Sequence, residues 1–139
     1  MMKDIPMRRV SEVAIAVAPP ENGDLAANWE VYLINLKHSP LRHVIVSSRG
    51  YGQFEDEEIK TSTLRHYFEE VAPLSCRLIE HIQPRVFPLN NEYWVSFSHD
   101  DFLFDQKFTF VAGAIADAFF TQIPLLERKG VMLGDSGEE

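Results

Sequence analysis

Two aromatic runs of strict period two, residues 92–98 and 102–111, limit the fold more than any other stretch of the chain. In the first, Tyr93, Val95 and Phe97 point one way and Trp94, Ser96 and Ser98 the other; in the second, Phe104, Phe108 and Phe110 are in phase. A period of two marks a strand with one face buried. The intervening His99-Asp100-Asp101 suits a tight turn, because Asp side chains bond nearby backbone N–H groups and tolerate positive φ. The two runs predict an antiparallel hairpin.

The same reading extends along the chain. Residues 11–18 place Val13, Ile15 and Val17 on one face. Residues 29–36 carry Val31 and Leu33 on one side and Tyr32 and Ile34 on the other, which predicts a strand covered on both faces, by a second layer or by a loop. Residues 41–48 form a further strand, and the short link 36–40 predicts that it pairs with 29–36 as a hairpin. Residues 75–82 alternate through Cys76, Leu78 and Ile82, with Glu80 breaking the apolar set. Turns or loops are expected at 19–24, at Gly50-Tyr51-Gly52 with the acidic run that follows, and at Asn90-Asn91. Pro84 and Pro88 confine the residues between them to an edge strand or loop.

Residues 60–71 fit two patterns. Leu64, Tyr67, Phe68 and Val71 share one helical face with Ser62 placed to cap it, whereas Thr61, Thr63, Tyr67 and Phe68 suit a strand. The Ala-rich stretch 111–120 predicts one helical turn, and 131–133 a last edge strand. Together these elements predict a mostly β, antiparallel two-sheet sandwich of the Ig-like kind, with about seven strands and one or two short helical segments. The single domain is expected over residues 10–134, after a flexible lead-in at 1–9 and before an acidic tail at 135–139.

A chain of 139 residues buries roughly two-thirds of its unfolded surface and needs no covalent staple. Its one cysteine, Cys76, excludes an intramolecular disulfide and reads as a structural thiol. The net charge of -8 repels phosphate backbones and anionic lipid, so neither nucleic acid nor a membrane surface is an expected partner. No apolar leader segment opens the sequence, and the longest apolar stretch is too short to span a bilayer, which makes the cytoplasm the expected compartment.

Motifs for chemistry are absent. His38, His43, His66, His81 and His99 are scattered without a Cys/His cluster, so no metal site is assigned. Gly50-Tyr51-Gly52 lacks the spacing of a phosphate loop, and no GxSxG elbow occurs. Asp100 and Asp101 read as turn residues rather than an acid–base pair. Lys60, Arg65 and Lys107 read as solvated strand residues. Glu80, if buried, needs a partner, for which Arg42, Lys60 and Lys107 are candidates. No catalytic or cofactor-binding residue is assigned, and no cofactor is expected. Trp94 and Tyr32 both fall opposite the expected core face and are assigned as one exposed interaction patch, since exposed Trp and Tyr anchor interfaces.

The runs Trp29-Glu30-Val31-Tyr32-Leu33-Ile34-Asn35, Lys60-Thr61-Ser62-Thr63-Leu64-Arg65-His66, Asn90-Asn91-Glu92-Tyr93-Trp94-Val95-Ser96-Phe97 and Lys129-Gly130-Val131 resemble a family of uncharacterised bacterial proteins of this length. Some members carry the label phenylalanyl-tRNA synthetase alpha subunit. The strand at 31–35 and its neighbours are also faintly similar to the β-sandwich domain that precedes Smr domains. These resemblances imply a sandwich fold and an interaction role, and they transfer no functional residue. The expected function is a non-catalytic module that binds a protein partner, or a second copy as a homodimer, through an outer sheet face or an edge strand. The alternative is a small-ligand-binding protein or an enzyme, the synthetase label included.

Overall fold

The computed structural model describes residues 7–8 and 10–134. The strands are β1 (Met7–Arg8), β2 (Val13–Ala18), β3 (Trp29–Asn35), β4 (Leu41–Phe54), β5 (Glu57–Lys60), β6 (Leu64–Val71), β7 (Ser75–Ile82), β8 (Asn90–His99), β9 (Phe102–Phe110), β10 (Thr121–Ile123) and β11 (Arg128–Gly134). Short 3-10 turns lie at Pro84–Val86 and Asp117–Phe119, and no α-helix occurs among the described residues. One sheet, sheet I, runs β1-β9-β8-β4-β5 with β6 also on β4; the other, sheet II, runs β10-β11-β2-β3-β7. Every pairing is antiparallel except that of the two-residue β1 with β9.

The period-two faces meet between the sheets. Val13, Ile15, Val17, Val31 and Leu33 of sheet II pack against Val44, Val46, Tyr93, Val95 and Phe97 of sheet I in one buried cluster. The hairpin β8–β9 forms as its alternation predicts, with Asp100 and Asp101 at φ of 52° and 65° in a two-residue turn. Trp29 closes one end of the core, edge-on to Phe87 at 5.0 Å and to Phe120 at 5.9 Å.

Several expectations are corrected. The described strands number eleven rather than about seven, because residues 7–8, 57–60, 64–71 and 121–123 are strands as well. Gly50-Tyr51-Gly52 is part of β4; Gly52 holds φ at 148°, which a residue with a Cβ resists, and the strand continues through it. Of the acidic run, Glu55 and Asp56 form a hairpin turn at φ of 53° and 67°, while Glu57 and Glu58 begin β5. Residues 64–71 are a strand, with Tyr67 outward and 59% exposed, so the helical face does not exist. Asn90 and Asn91 lie within β8 rather than in a turn. Residues 131–133 belong to an inner strand, since β11 lies between β10 and β2. The backbone of Met7–Arg8 pairs with Leu103 and Phe104, so the expected lead-in includes a strand. The rest of the lead-in and the expected tail lie outside the described residues.

The predicted hairpin between residues 29–36 and 41–48 does not form, because β3 and β4 belong to different sheets. Asn35 is fully buried at the crossing. Its Nδ2 donates to the carbonyls of Ser39 and Ala72, both at 3.0 Å, and its Oδ1 accepts the Lys37 N–H at 3.0 Å. One amide thereby satisfies the backbone of both links that cross the sandwich at this corner, 36–40 and 72–74.

Candidate functional site

Both sheets carry apolar side chains on their outer faces, and the two faces are treated differently. On sheet II, Ala14, Ala16, Ala18 and Ile34 are all fully buried although they point away from the main core. The three alanines leave room for Ile123 of β10 and for Leu126 of the link that follows it. The Cys76 thiol reaches the Pro124 carbonyl at 3.9 Å in the same cover, and burial pushes the thiol's pKa up. Gly130 makes the approach possible, since a Cβ there would stand 2.3 Å from the Val17 carbonyl oxygen and 2.7 Å from Ile123 Cδ1.

Sheet I has no such cover among the described residues. Register places Ile45 between Tyr67 and Ser96 in one row, and Trp94 between Ser47 and Lys107 in the next. Trp94 is 45% exposed, and Ile45, Tyr67 and Leu103 are exposed with it. The indole is held in place, with Nε1 donating to the Asp105 carboxylate and Lys107 Nζ 5.0 Å from the ring. Arg49, Arg65, Lys107, Glu92 and Asp105 also lie on or beside these rows, so the face carries both signs of charge in a chain of net -8. Glu92 is buried under Arg49 at 3.1 Å and Lys107 at 3.9 Å.

Trp94 and Tyr32 therefore do not form one surface. Both point outward, but from opposite sheets, with the core between them. Tyr32 is partly covered, and its hydroxyl donates to Glu30 Oε1 at 3.0 Å. Arg128 Nη1 donates to the same carboxylate oxygen at 2.7 Å and Nη2 to the Pro19 carbonyl at 2.5 Å. The Arg128 hydrogen bond holds the Glu30 carboxyl below the usual carboxylate range, against the opposing effect of burial. Burial and the bond to Glu30 raise the Tyr32 phenol. Tyr32 thus belongs to an ion-pair network that ties β3 to β11.

A second polar grouping lies between the sheets. Glu80 Oε1 accepts from Ser48 Oγ at 2.8 Å and meets His66 Nε2 at 2.7 Å, and Oε2 accepts from Tyr93 Oη at 2.9 Å. Arg42, Lys60 and Lys107 do not reach Glu80; Arg42 pairs with Glu70 at 3.0 Å and Lys107 lies on the outer face with Trp94. The geometry of β7 explains why the sequence misled. A bulge opposite Val31/Tyr32 shifts the register between Leu78 and Glu80. Cys76 therefore packs on the outer face while Glu80 turns into the sandwich, and the apparent single set is two sets of opposite phase. A cleft of about 330 Å³ opens beside these groups, lined in part by Ser48, Thr61, Ser62, Glu80, Arg85 and Tyr93. Burial, then the Glu80 charge and hydrogen bond, push the Tyr93 phenol well above its ordinary value. A carboxylate with three donors from the opposite sheet joins the layers, and no buried side-chain N or O lacks a partner among the described residues.

At the far end, Ser39 Oγ lies 2.5 Å from His99 Nε2. His99 Nδ1 is 3.6 Å from Asp100 Oδ2, beyond hydrogen-bond length, and that side chain is 78% exposed at the hairpin tip. A hydroxyl–imidazole pair is present, without a carboxylate positioned to orient the ring. No sequence spacing announces it, because the two residues are 60 positions apart. Among the described residues no three His, Cys, Asp or Glu side chains converge as metal ligands, and no helix is long and apolar enough to cross a membrane.

No family model and no curated protein matches this chain.

Proposed function

We propose that the chain is a protein-interaction module that self-associates through the outer face of sheet I, with Trp94 at its centre. The observation that carries this reading is the contrast between the two outer faces. Sheet II covers its apolar outer face with Ile123 and Leu126, whereas the matching face of sheet I keeps Trp94, Ile45, Tyr67 and Leu103 exposed. Exposed apolar groups of this kind mark contact surfaces, and a pre-positioned indole loses little freedom on binding. The charge pattern favours a second copy as the occupant: a chain of net -8 repels itself, and this face offsets its acids with Arg49, Arg65 and Lys107. An Ig-like assignment of the sandwich, the cytoplasmic location and kinship with the bacterial proteins it resembles are parts of the same proposal.

Light scattering over a range of protein concentrations tests it. The native chain is expected to associate, and Trp94→Ala to stay monomeric with an unchanged circular dichroism spectrum. A native chain that is monomeric throughout, or a Trp94→Ala variant that associates equally well, refutes self-association through this face.

The cleft beside Glu80 favours a second reading, a small-ligand protein or an enzyme, with the phenylalanyl-tRNA synthetase alpha-subunit label as one version. Phenylalanine-dependent exchange of pyrophosphate into ATP by the purified chain would support that version, and its absence disposes of it.

A further inference from the structure

Arg85 sits on the 3-10 turn at Pro84–Val86 and is exposed. The turn is fixed at both ends. The Phe87 N–H donates to the Pro84 carbonyl at 2.9 Å, and Asn91 Nδ2 of β8 donates to the Val86 carbonyl at 3.0 Å. Arg42, Arg49 and Arg128 each hold a carboxylate, whereas Arg85 has no ion pair or hydrogen bond among the described residues. A guanidinium on a rigid turn with no internal acceptor is free to take an external one.

Two adjoining cavities share this residue. One is the polar cleft of about 330 Å³, where Ser62 and Gln83 add further polar groups near Arg85. The other, of about 300 Å³, is lined by Phe54, Ile59, Val86, Pro88 and Leu89 together with Thr61 and Arg85. Thr61 and Val86 also line both. A polar and an apolar compartment thus meet at Arg85, while Arg49, which also lines the polar cleft, is held by Glu92; the arrangement suits a ligand with an anionic head and an apolar stem. A single guanidinium matches a carboxylate through two parallel hydrogen bonds. The Glu80 carboxylate in the polar compartment and the net charge of -8 work against a multiply charged head such as a phosphate monoester.

We propose that Arg85 and these two cavities form a binding site for an organic carboxylate with an apolar stem, the carboxylate on the guanidinium and the stem against Phe54, Ile59 and Leu89. The site is independent of the Trp94 face, so the two proposals stand or fall separately. Two sources share this chemistry, a free small acid and the carboxyl terminus of a peptide ending in an apolar residue.

The test is a titration of the full chain followed by amide chemical shifts, with 4-phenylbutyrate in one arm and an acetylated tripeptide ending in leucine in the other. The controls are 4-phenylbutanol, acetate and the amidated tripeptide. Shifts centred on Thr61, Val86 and Leu89 are expected with the matching acid only, and the arm that binds identifies the source. Arg85→Gln is expected to weaken that binding about tenfold or more, while Trp94→Ala leaves it unchanged. Because Arg85 is exposed and has no ion pair or hydrogen bond among the described residues, its replacement is expected to leave the fold intact, which the remaining amide shifts verify. Equal binding of 4-phenylbutanol, binding that survives Arg85→Gln, shifts centred elsewhere, or no binding by either acid at millimolar concentration each overturn the proposal.

Discussion

Tyr93 of sheet I donates its phenol to Glu80 of sheet II across 2.9 Å, so the polar contact between the layers runs through a side chain that is itself 1% exposed. The bond places a neutral phenol where ionisation would set two negative charges side by side. Tyr93→Phe keeps the ring and its edge-on contact with Phe110 at 6.1 Å but leaves Glu80 Oε2 without this donor. The expected loss is about 1–3 kcal/mol of unfolding free energy, read by urea denaturation at neutral pH.

The same phenol gives the protein an alkaline limit. Its folded pKa is raised well above the ordinary value of 10.0, mainly by burial. The resulting stability is complete below the unfolded value and declines as pH rises beyond it, because only the unfolded chain then releases the proton. Denaturation midpoints for the native chain should fall above that value more steeply than those of Tyr93→Phe, and equal slopes would refute the assignment.

At the acid end, Glu30 behaves in the opposite sense. Its folded pKa lies below 4.5, through the Arg128 hydrogen bond first. Its contribution is complete above the unfolded value and is lost as pH falls through the folded one. Glu30→Gln should be less stable than the native chain at neutral pH, and the gap should narrow on acidification, as measured by thermal melts across that range.

Gly130→Ala is expected to destabilise by about 1–3 kcal/mol, because the added Cβ meets the Val17 carbonyl oxygen, an atom fixed in the β2–β11 pairing. Gly23→Ala provides the contrast, since a Cβ there has nothing within 4 Å and the cost is limited to its φ of 84°. Thermal denaturation should separate the two, with Gly130→Ala the more severe.

Asn35→Asp preserves shape and removes the donors to Ser39 and Ala72, and it sets a carboxylate against their carbonyl oxygens. The cost should exceed about 3 kcal/mol, read by urea denaturation at neutral pH. A near-neutral effect would show that the crossing does not depend on this amide.

The sequence by itself determined which faces are buried wherever strands keep strict period: Val13 to Val17 on β2, Val31 and Leu33 on β3, Tyr93 to Phe97 on β8 and Phe104, Phe108 and Phe110 on β9 all pack as their alternation predicts. It also determined the Asp100-Asp101 turn and the outward direction of Trp94, because both depend only on neighbouring residues. Tertiary structure decided the rest. Strand partners depend on long-range pairing, so β3 and β4 lie in different sheets although their link is short, with Asn35 bonded across the crossing. A single bulge reversed the phase of β7, which turned Glu80 inward to residues 13, 14 and 32 positions away. Cover on an outer face depends on where a distant segment lies; Leu126 reaches the face of sheet II that carries Tyr32, and nothing in the local pattern around Trp94 could tell that sheet I has no equivalent among the described residues. Alternation fixes a direction for each side chain, and only the packed sheets decide what it meets there.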